Sequence, residues 1–376
     1  MVQAEAVIDL DAIRANTAYL AERAATRSAA TMAVVKADGY GHGAVPSARA
    51  ALAGGATWLG VSTVGEALEL RAAGIDSPLL SWLNAPGTDF TAAVVSDVDL
   101  GVPSIPLLDD VVASAKRADR TARVHLKVDT GLGRSGATPA DWPDLLTAAA
   151  KATAEGTVEV VGVWSHFACA DEPGHPSIAA QIGVFHEALE VADRHGVHPQ
   201  LRHMANSAGT LTLPEAYFDL VRPGVSIYGL SPNPGHVPAE ALRPAMTLRG
   251  RVLIAKRVPA GHGVSYGHTY HTSAPTTLAV VPLGYGDGVP RHASSVGPLL
   301  LGGVRRRIAG RVCMDQFVVD VGDDPVSDGD EAVLFGPGDR GEPTADDWAE
   351  AVGTINYEIV TRIGARVPRT YVGAGA

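Results

Sequence analysis

The chain has 376 residues, of which 46% are hydrophobic and 19% charged. That length exceeds the usual size of a single core, so two domains are expected, and the apolar share excludes a disordered chain. The formal net charge of −11 argues against nucleic-acid backbone binding as the main activity, but leaves room for a small anion at a locally positive site.

The first ten residues, MVQAEAVIDL, hold neither a basic segment nor a long apolar stretch, and no run elsewhere approaches the ~20 apolar residues of a membrane span. A cytoplasmic location is expected, with neither membrane nor nucleic acid as partner. From Thr31 onward one phrase repeats: a short apolar run, a Gly/Asp/Ser-rich loop, then an Ala/Leu-rich helical pattern. Strands are predicted at residues 31–35, 58–61, 78–82, 98–102, 123–128, 158–164, 200–204 and 220–227, and helices include 64–73 and 178–195, each with a Gly just beyond it. Eight such phrases match a (β/α)8, TIM-like barrel. A doubly wound sheet is the alternative, but it would gather functional residues at one switch point. Here Lys36, Lys127, Asp129, His166, Asn206, Ser207 and Arg222 end or follow most of the strands, as barrel active sites require.

The run Ser-Pro-Asn-Pro-Gly at 231–235 reads as a linker, and beyond it short strands dominate, at 247–257, 277–282, 299–301, 305–308, 316–321 and 331–335. The expected fold is therefore α/β: a barrel in residues 1–235, followed by a mainly β domain in 236–376, with the option that the first residues pair with the second domain. Cys169 and Cys313 lack CxxC spacing and paired histidines, so buried free thiols are expected and no metal site.

The run Ala33-Val-Val-Lys36 ends a strand on a loop containing Gly39, Gly41 and Gly43. A lone lysine after a strand is usually a solvated residue, but glycines let backbone N–H groups approach a ligand, and desolvation frees an amine for Schiff-base chemistry. Only Lys116, Lys127, Lys151 and Lys256 share its residue type. Arg222-Pro-Gly-Val225 follows the eighth strand, where barrels commonly hold phosphate, and Ser207 follows the seventh. Arg134 on the loop Asp129-Thr-Gly-Leu-Gly-Arg134 suits a bidentate carboxylate clamp. Tyr266, in Gly-Val-Ser-Tyr-Gly at 263–267, reads by itself as a turn aromatic.

Taken in order, these motifs give the chain a close resemblance to the alanine racemase family of fold-type III pyridoxal 5'-phosphate (PLP) enzymes. It runs from Ile8 to Tyr371 and is carried by Ala33-Val-Val-Lys36, Tyr40-Gly-His-Gly43, Leu126 to Arg134, Val221-Arg-Pro-Gly224, Ser265-Tyr-Gly267, Gly284-Tyr285, Cys313-Met-Asp-Gln316 and Asn356-Tyr-Glu358. The resemblance implies that Lys36 holds PLP as a Schiff base and acts as base on the D-alanine side, while Tyr266 from a second subunit acts on the L-alanine side. Two proton-handling groups are needed because a proton removed from one face must be replaced on the other. A tyrosine titrates near ~10 when unperturbed, so such a base needs positive charge close by.

The resemblance further implies that Arg222 faces the pyridine nitrogen, oriented by His166, and that Tyr40, Ser207, Gly224, Val225 and Tyr357 hold the phosphate. An arginine there does not readily protonate the ring, which becomes a weaker electron sink than it is beside a carboxylate. Arg134 and the backbone N–H of the second subunit's Met314 would meet the substrate carboxylate. Lys127 matches a position commonly carbamylated in the family. Asp171, Tyr285, Arg291, Arg311, Ile355 and Tyr357 match an entryway narrow enough to favour a methyl side chain. The implied assembly is a head-to-tail homodimer with shared sites, supplying D-alanine for peptidoglycan. Where many relatives have Ala-Asn-Ala-Tyr after the lysine, this chain has Ala-Asp-Gly-Tyr, which puts the charge of Asp38 near the cofactor.

Alternatives are a broader racemase acting on alanine and serine, a fold-type III decarboxylase, and a non-catalytic PLP carrier. Decarboxylases usually place a carboxylate at the pyridine nitrogen and carry a triple-glycine phosphate loop, whereas Arg222 stands here and no Gly-Gly-Gly occurs. The carrier proteins are single barrels without a β domain.

Overall fold

A computed structural model describes residues 2–233 and 241–374. The first strand, β1 (Ala4–Asp9), hands the chain directly to a helix, Leu10–Ala25, whose start is capped by Asp9 accepting the Ala12 N–H at 3.0 Å. The barrel follows: β2 (Ala30–Val34), β3 (Trp58–Val61), β4 (Leu79–Ser81), β5 (Asp99–Val102), β6 (Ala122–Lys127), β7 (Val158–Trp164), β8 (Leu201–His203) and β9 (Leu220–Val221). From β2 to β8 each pairs in parallel with the next, and β9 returns to β2 through Ala30↔Leu220 and Thr31↔Val221. Asp219 just before β9 donates its N–H to the Arg202 carbonyl of β8 at 3.0 Å, so the ring is nearly closed. This sequential order, with no reversal point, sets the doubly wound alternative aside.

The strands of a parallel barrel are covered on both faces, which is why they read as apolar runs rather than alternating ones. In β4 and β5 every residue is buried. Helices coat the outside. Val64–Ala72 begins with a capping box, in which Thr63 Oγ1 accepts from the Glu66 N–H and Glu66 accepts from the Thr63 N–H.

Among the described residues ten further strands follow: β10 (Met246–Arg251), β11 (Ile254–Val258), β12 (Gly263–Val264), β13 (Tyr270–His271), β14 (Thr276–Val281), β15 (Pro298–Leu301), β16 (Val304–Arg307), β17 (Phe317–Gly322), β18 (Glu331–Phe335) and β19 (Arg369–Val372). They form a six-stranded sheet ordered β16-β15-β18-β10-β1-β19, a three-stranded sheet β11-β14-β17 and the ribbon β12-β13. Thus β1 sits among C-terminal strands, antiparallel to β10 and parallel to β19. Two helices, Ala345–Val352 and Asn356–Thr361, interrupt the β texture and bring Tyr357 over the barrel.

Two of the predicted strands need correction. The predicted strand at 220–227 stops at Val221, because Pro223 has no N–H to donate and Val225–Tyr228 turns as a 3-10 helix. The predicted strand at 247–257 is two strands in different sheets, broken at Val252 and Leu253. The division expected between 235 and 236 lies outside the described residues. Cys169 and Cys313 are free thiols, but only half-buried rather than buried. Among the described residues no helix is long and apolar enough to cross a membrane.

Candidate active site

Lys36 leaves the end of β2 on an unusual turn. Ala37, Asp38, Gly39 and Tyr40 all have left-handed backbone, at φ 52°, 52°, 61° and 52°. Three of these are not glycine, and such residues cost of order 1–3 kcal/mol each. Glu66 secures the turn: one carboxylate oxygen accepts the Ala37 N–H at 2.7 Å, and the other accepts the N–H groups of Ser62 and Thr63. Asp38 accepts the Ala44 N–H at 2.9 Å, so its carboxylate is engaged with the backbone at the start of the next helix. The glycine spacing that singled out this loop is therefore only part of its conformation.

A cavity of about 780 Å³ opens at the C-terminal ends of the barrel strands. Lys36, Tyr40, Lys127, Arg134, His166, Ser207, Arg222, Gly224, Val225, Ile355 and Tyr357 all line it. Two tryptophans that sequence reasoning passed over, Trp82 and Trp164, lie among them. Lys127 Nζ stands 4.5 Å and Arg222 Cζ 4.9 Å from the Trp164 ring centroid, and Lys36 Nζ 5.9 Å from that of Trp82. Tryptophans ending two of the predicted strands, 78–82 and 158–164, were the signal for them.

Five basic side chains, those of Lys36, Lys127, Arg134, Arg222 and Arg362, line this cavity against the one carboxylate of Glu358, and in a chain of net charge −11 they make a local anion site. Burial and the Arg134 charge lower the Lys36 pKa below the ordinary lysine value, with Glu66 opposing. Burial, then Arg222 and Arg134, bring Lys127 down to about 8. Burial and the Arg222 guanidinium hold His166 well below the usual histidine range, so it is neutral near pH 7.

Arg222 is buried, and both of its terminal nitrogens are engaged. It donates to His203 Nδ1 at 2.9 Å, to the Ser165 carbonyl at 2.8 Å, and to His166 Nδ1 and the Met204 carbonyl at 3.3 Å. Its neighbours Gly224 and Ser226 donate their N–H groups to Ser207 Oγ. Gly224 is pressed against Tyr40, where a Cβ would sit 2.4 Å from the phenol oxygen, so only glycine fits. Arg134 is carried by a loop organised around Asp129, which accepts the N–H groups of Gly131, Leu132 and Gly133. A second cavity of about 600 Å³ adjoins the first, sharing Arg134, His166, Asn206, Ile355 and Tyr357 and adding Asp171.

Tyr266, Tyr285, Arg291, Arg311 and Met314 line neither of these two cavities. Tyr266 is 70% exposed, Met314 53% and Tyr285 43%. Local contacts link several of them: Ser265 Oγ donates to the Arg311 carbonyl at 2.6 Å, the Arg311 guanidinium lies against Gly267, and Tyr285 donates its N–H to the carbonyl of Cys313, beside Met314. Ser265 itself sits at φ 60°, ψ −172°, a region essentially reserved for glycine.

A desolvated lysine able to form a Schiff base, a cluster of Gly224, Ser207 and Tyr40, and a buried arginine, all lining one cavity, fit PLP. They define a PLP-dependent barrel enzyme with a β domain. The comparisons are more specific. Residues 8–232 match the model for the alanine racemase N-terminal domain, and residues 245–371 that for the C-terminal domain. The chain is 65% identical to the alanine racemase of Frankia casuarinae over 98% of this chain and 96% of that one. With the enzyme of Salinispora arenicola it shares 63% identity over 99% of both chains. The alanine racemase of D-cycloserine-producing Streptomyces lavendulae superposes with a TM-score of 0.97 at 58% identity, covering 100% of this chain and 98% of that one. The Bacillus anthracis alanine racemase with bound L-Ala-P superposes at 0.92 and 36% identity, covering 100% and 96%. The chain belongs to the alanine racemase family, whose members depend on PLP.

Proposed function

We propose that this chain interconverts L- and D-alanine for peptidoglycan in the cytoplasm, at two active sites each completed by a second copy of itself. The carrying observation is a split. The desolvated Lys36 and its cationic cavity lie at the barrel mouth, whereas Tyr266 and Met314 stand exposed elsewhere on the same chain. A head-to-tail dimer joins the two halves, with residues 1–235 offering the barrel and residues 236–376 offering Tyr266 and Met314 to the partner.

When bound, PLP supplies an electron-withdrawing ring that acidifies the α C–H of an amino acid joined to it. Lys36 would hold it covalently and then take or return the α proton on one face, as its lowered pKa permits. Tyr266 would handle the proton on the other face. Tyr40, Ser207, Gly224, Val225 and Tyr357 would hold the phosphate, and Arg222, supported by His166, would face the pyridine nitrogen. Arg134 and the Met314 N–H would grip the alanine carboxylate. Asp171, Tyr285, Arg291, Arg311, Ile355 and Tyr357 would line the way in and limit the side chain. The test is a racemisation assay of the PLP-loaded protein across an amino-acid panel. Alanine should turn over fastest, and equal rates for longer side chains would contradict a narrow entryway.

Lys127 would take up carbon dioxide. The ammonium first gives up one proton; the neutral amine nitrogen then bonds to the carbon as one C–O π bond opens, a second proton leaves, and the cation near Arg134 and Arg222 becomes a carbamate anion that pairs with them. Only the neutral amine reacts, and Lys127 is half neutral at about pH 8. Incorporation of 13C-labelled carbon dioxide should therefore rise between about pH 7 and about pH 9. A signal that persists in Lys127→Ala would rule the site out.

A further inference from the structure

Behind Arg222 a line of polar side chains crosses the interior of the barrel, and neither the composition nor the motifs pointed to it. His203, the last residue of β8, accepts from Arg222 at Nδ1 and meets His125 Nδ1 of β6 through its Nε2 at 2.8 Å. His125 Nε2 lies 3.1 Å from Asp99, the first residue of β5, and Asp99 is paired with Arg123 at 2.8 Å. Asp99, His125 and His203 are at most 3% exposed.

The barrel is built to let this line through. β7 separates β6 from β8, and the two imidazoles meet across it where β7 carries Gly162. A Cβ there would sit 2.3 Å from His125 Nδ1, so any larger residue would displace the ring. The β6–β7 register also shifts between Val124 and His125. The Trp164 ring stacks on His203, with centroids 5.6 Å apart and planes 9° from parallel, and the Trp58 ring meets His125 edge-on.

Only one arrangement of protons satisfies the line. A guanidinium donates and cannot accept, so His203 Nδ1 is bare and its proton is on Nε2. His125 Nδ1 must then accept, which puts the His125 proton on Nε2, facing a carboxylate that can accept it. Starting from Asp99 gives the same order. Burial opposes ionisation of Asp99, but the hydrogen bond from His125 and then the hydrogen bond and charge of Arg123 outweigh it and keep the carboxyl below its usual range. His203 is held well below the usual histidine range by burial and by Arg222.

We propose that Asp99, His125 and His203 are positioning residues. They form a one-directional hydrogen-bond line that keeps a bare imidazole nitrogen turned to Arg222, and so fixes the guanidinium as a donor toward the cofactor ring. The proposal rests on the reading that Arg222 faces the pyridine nitrogen. It assigns a role to a buried acid at the far end of the barrel strands, remote from substrate.

The test uses protein labelled with 15N-histidine, with and without PLP. In the wild type, His125 and His203 should both show the neutral form protonated at Nε2; a proton on Nδ1 of either, or a charged ring, overturns the proposal without any variant. In PLP-loaded His125→Phe, the pH at which the bound cofactor's visible absorption titrates should move by about one unit, the size of shift that a lost hydrogen bond imposes. Asp99→Asn, which keeps an acceptor but loses the charge, should move it less. Trp58→Phe, which alters packing against His125 outside the line, should leave it in place. If Arg222→Gln moves the titration and His125→Phe does not, the line is refuted while Arg222 keeps its place. If Arg222→Gln leaves it unmoved, the reading of Arg222 itself fails.

Discussion

Lys36→Ala should lose racemisation in both directions by at least about 10⁴-fold, the upper end of what a positioned base contributes, because the covalent hold on PLP is lost with it. Lys36 is the lysine whose position at the barrel mouth combines desolvation, the Glu66-secured turn and access to the cavity. Lys127 lines the same cavity but stands over Trp164, close to Arg222, and is no substitute in place. The cradle of Tyr40, Ser207 and Gly224 does not involve the Lys36 amine, so the variant should still bind PLP without the covalent bond. Steady-state rates from L- and D-alanine, with absorbance spectra of the bound cofactor, check both parts. Activity within tenfold of wild type would remove Lys36 from the chemistry.

Tyr266→Phe has a different signature. It deletes one oxygen from a side chain that is 70% exposed in the single chain, so the fold should be unaffected, within about 0.5 kcal/mol. Exchange of the α proton of L-alanine with solvent should fall by about 10²- to 10⁴-fold, whereas exchange from D-alanine, served by Lys36, should survive. Net racemisation needs both groups and should fall with the slower one. Proton exchange followed by NMR separates the two faces directly. Equal losses for both enantiomers would mean that Tyr266 supports the site without handling a proton.

Much of the barrel was legible because parallel strands covered on both sides leave an unbroken apolar record. The cavity residues were legible because barrel chemistry gathers at strand ends, where Lys36, Lys127, His166, Ser207 and Arg222 each follow such a run. The ninth strand was overread for the same reason: residues 220–227 are largely apolar, and only Pro223 and the turn at Gly224 show that the chain leaves the sheet. The break between β10 and β11 has no local signal, since the two halves differ only in which sheet receives them. Left-handed Ala37, Asp38 and Tyr40 run against local preference and depend on Glu66, which is distant in sequence. The line from Asp99 through His125 to His203 was illegible because its members come from three different strands and meet only across Gly162. The pairing of β1 with β10 and β19 likewise needs the fold before it can be seen.

The shared site can be tested by mixing. Lys36→Ala and Tyr266→Phe chains, each inactive alone in racemisation, are combined under conditions in which subunits exchange. Random pairing makes half the dimers mixed, and each mixed dimer holds one site with both native groups, so about a quarter of the wild-type activity should return. If Lys36 and Tyr266 of a single chain served the same site, the mixture would stay as inactive as its two components.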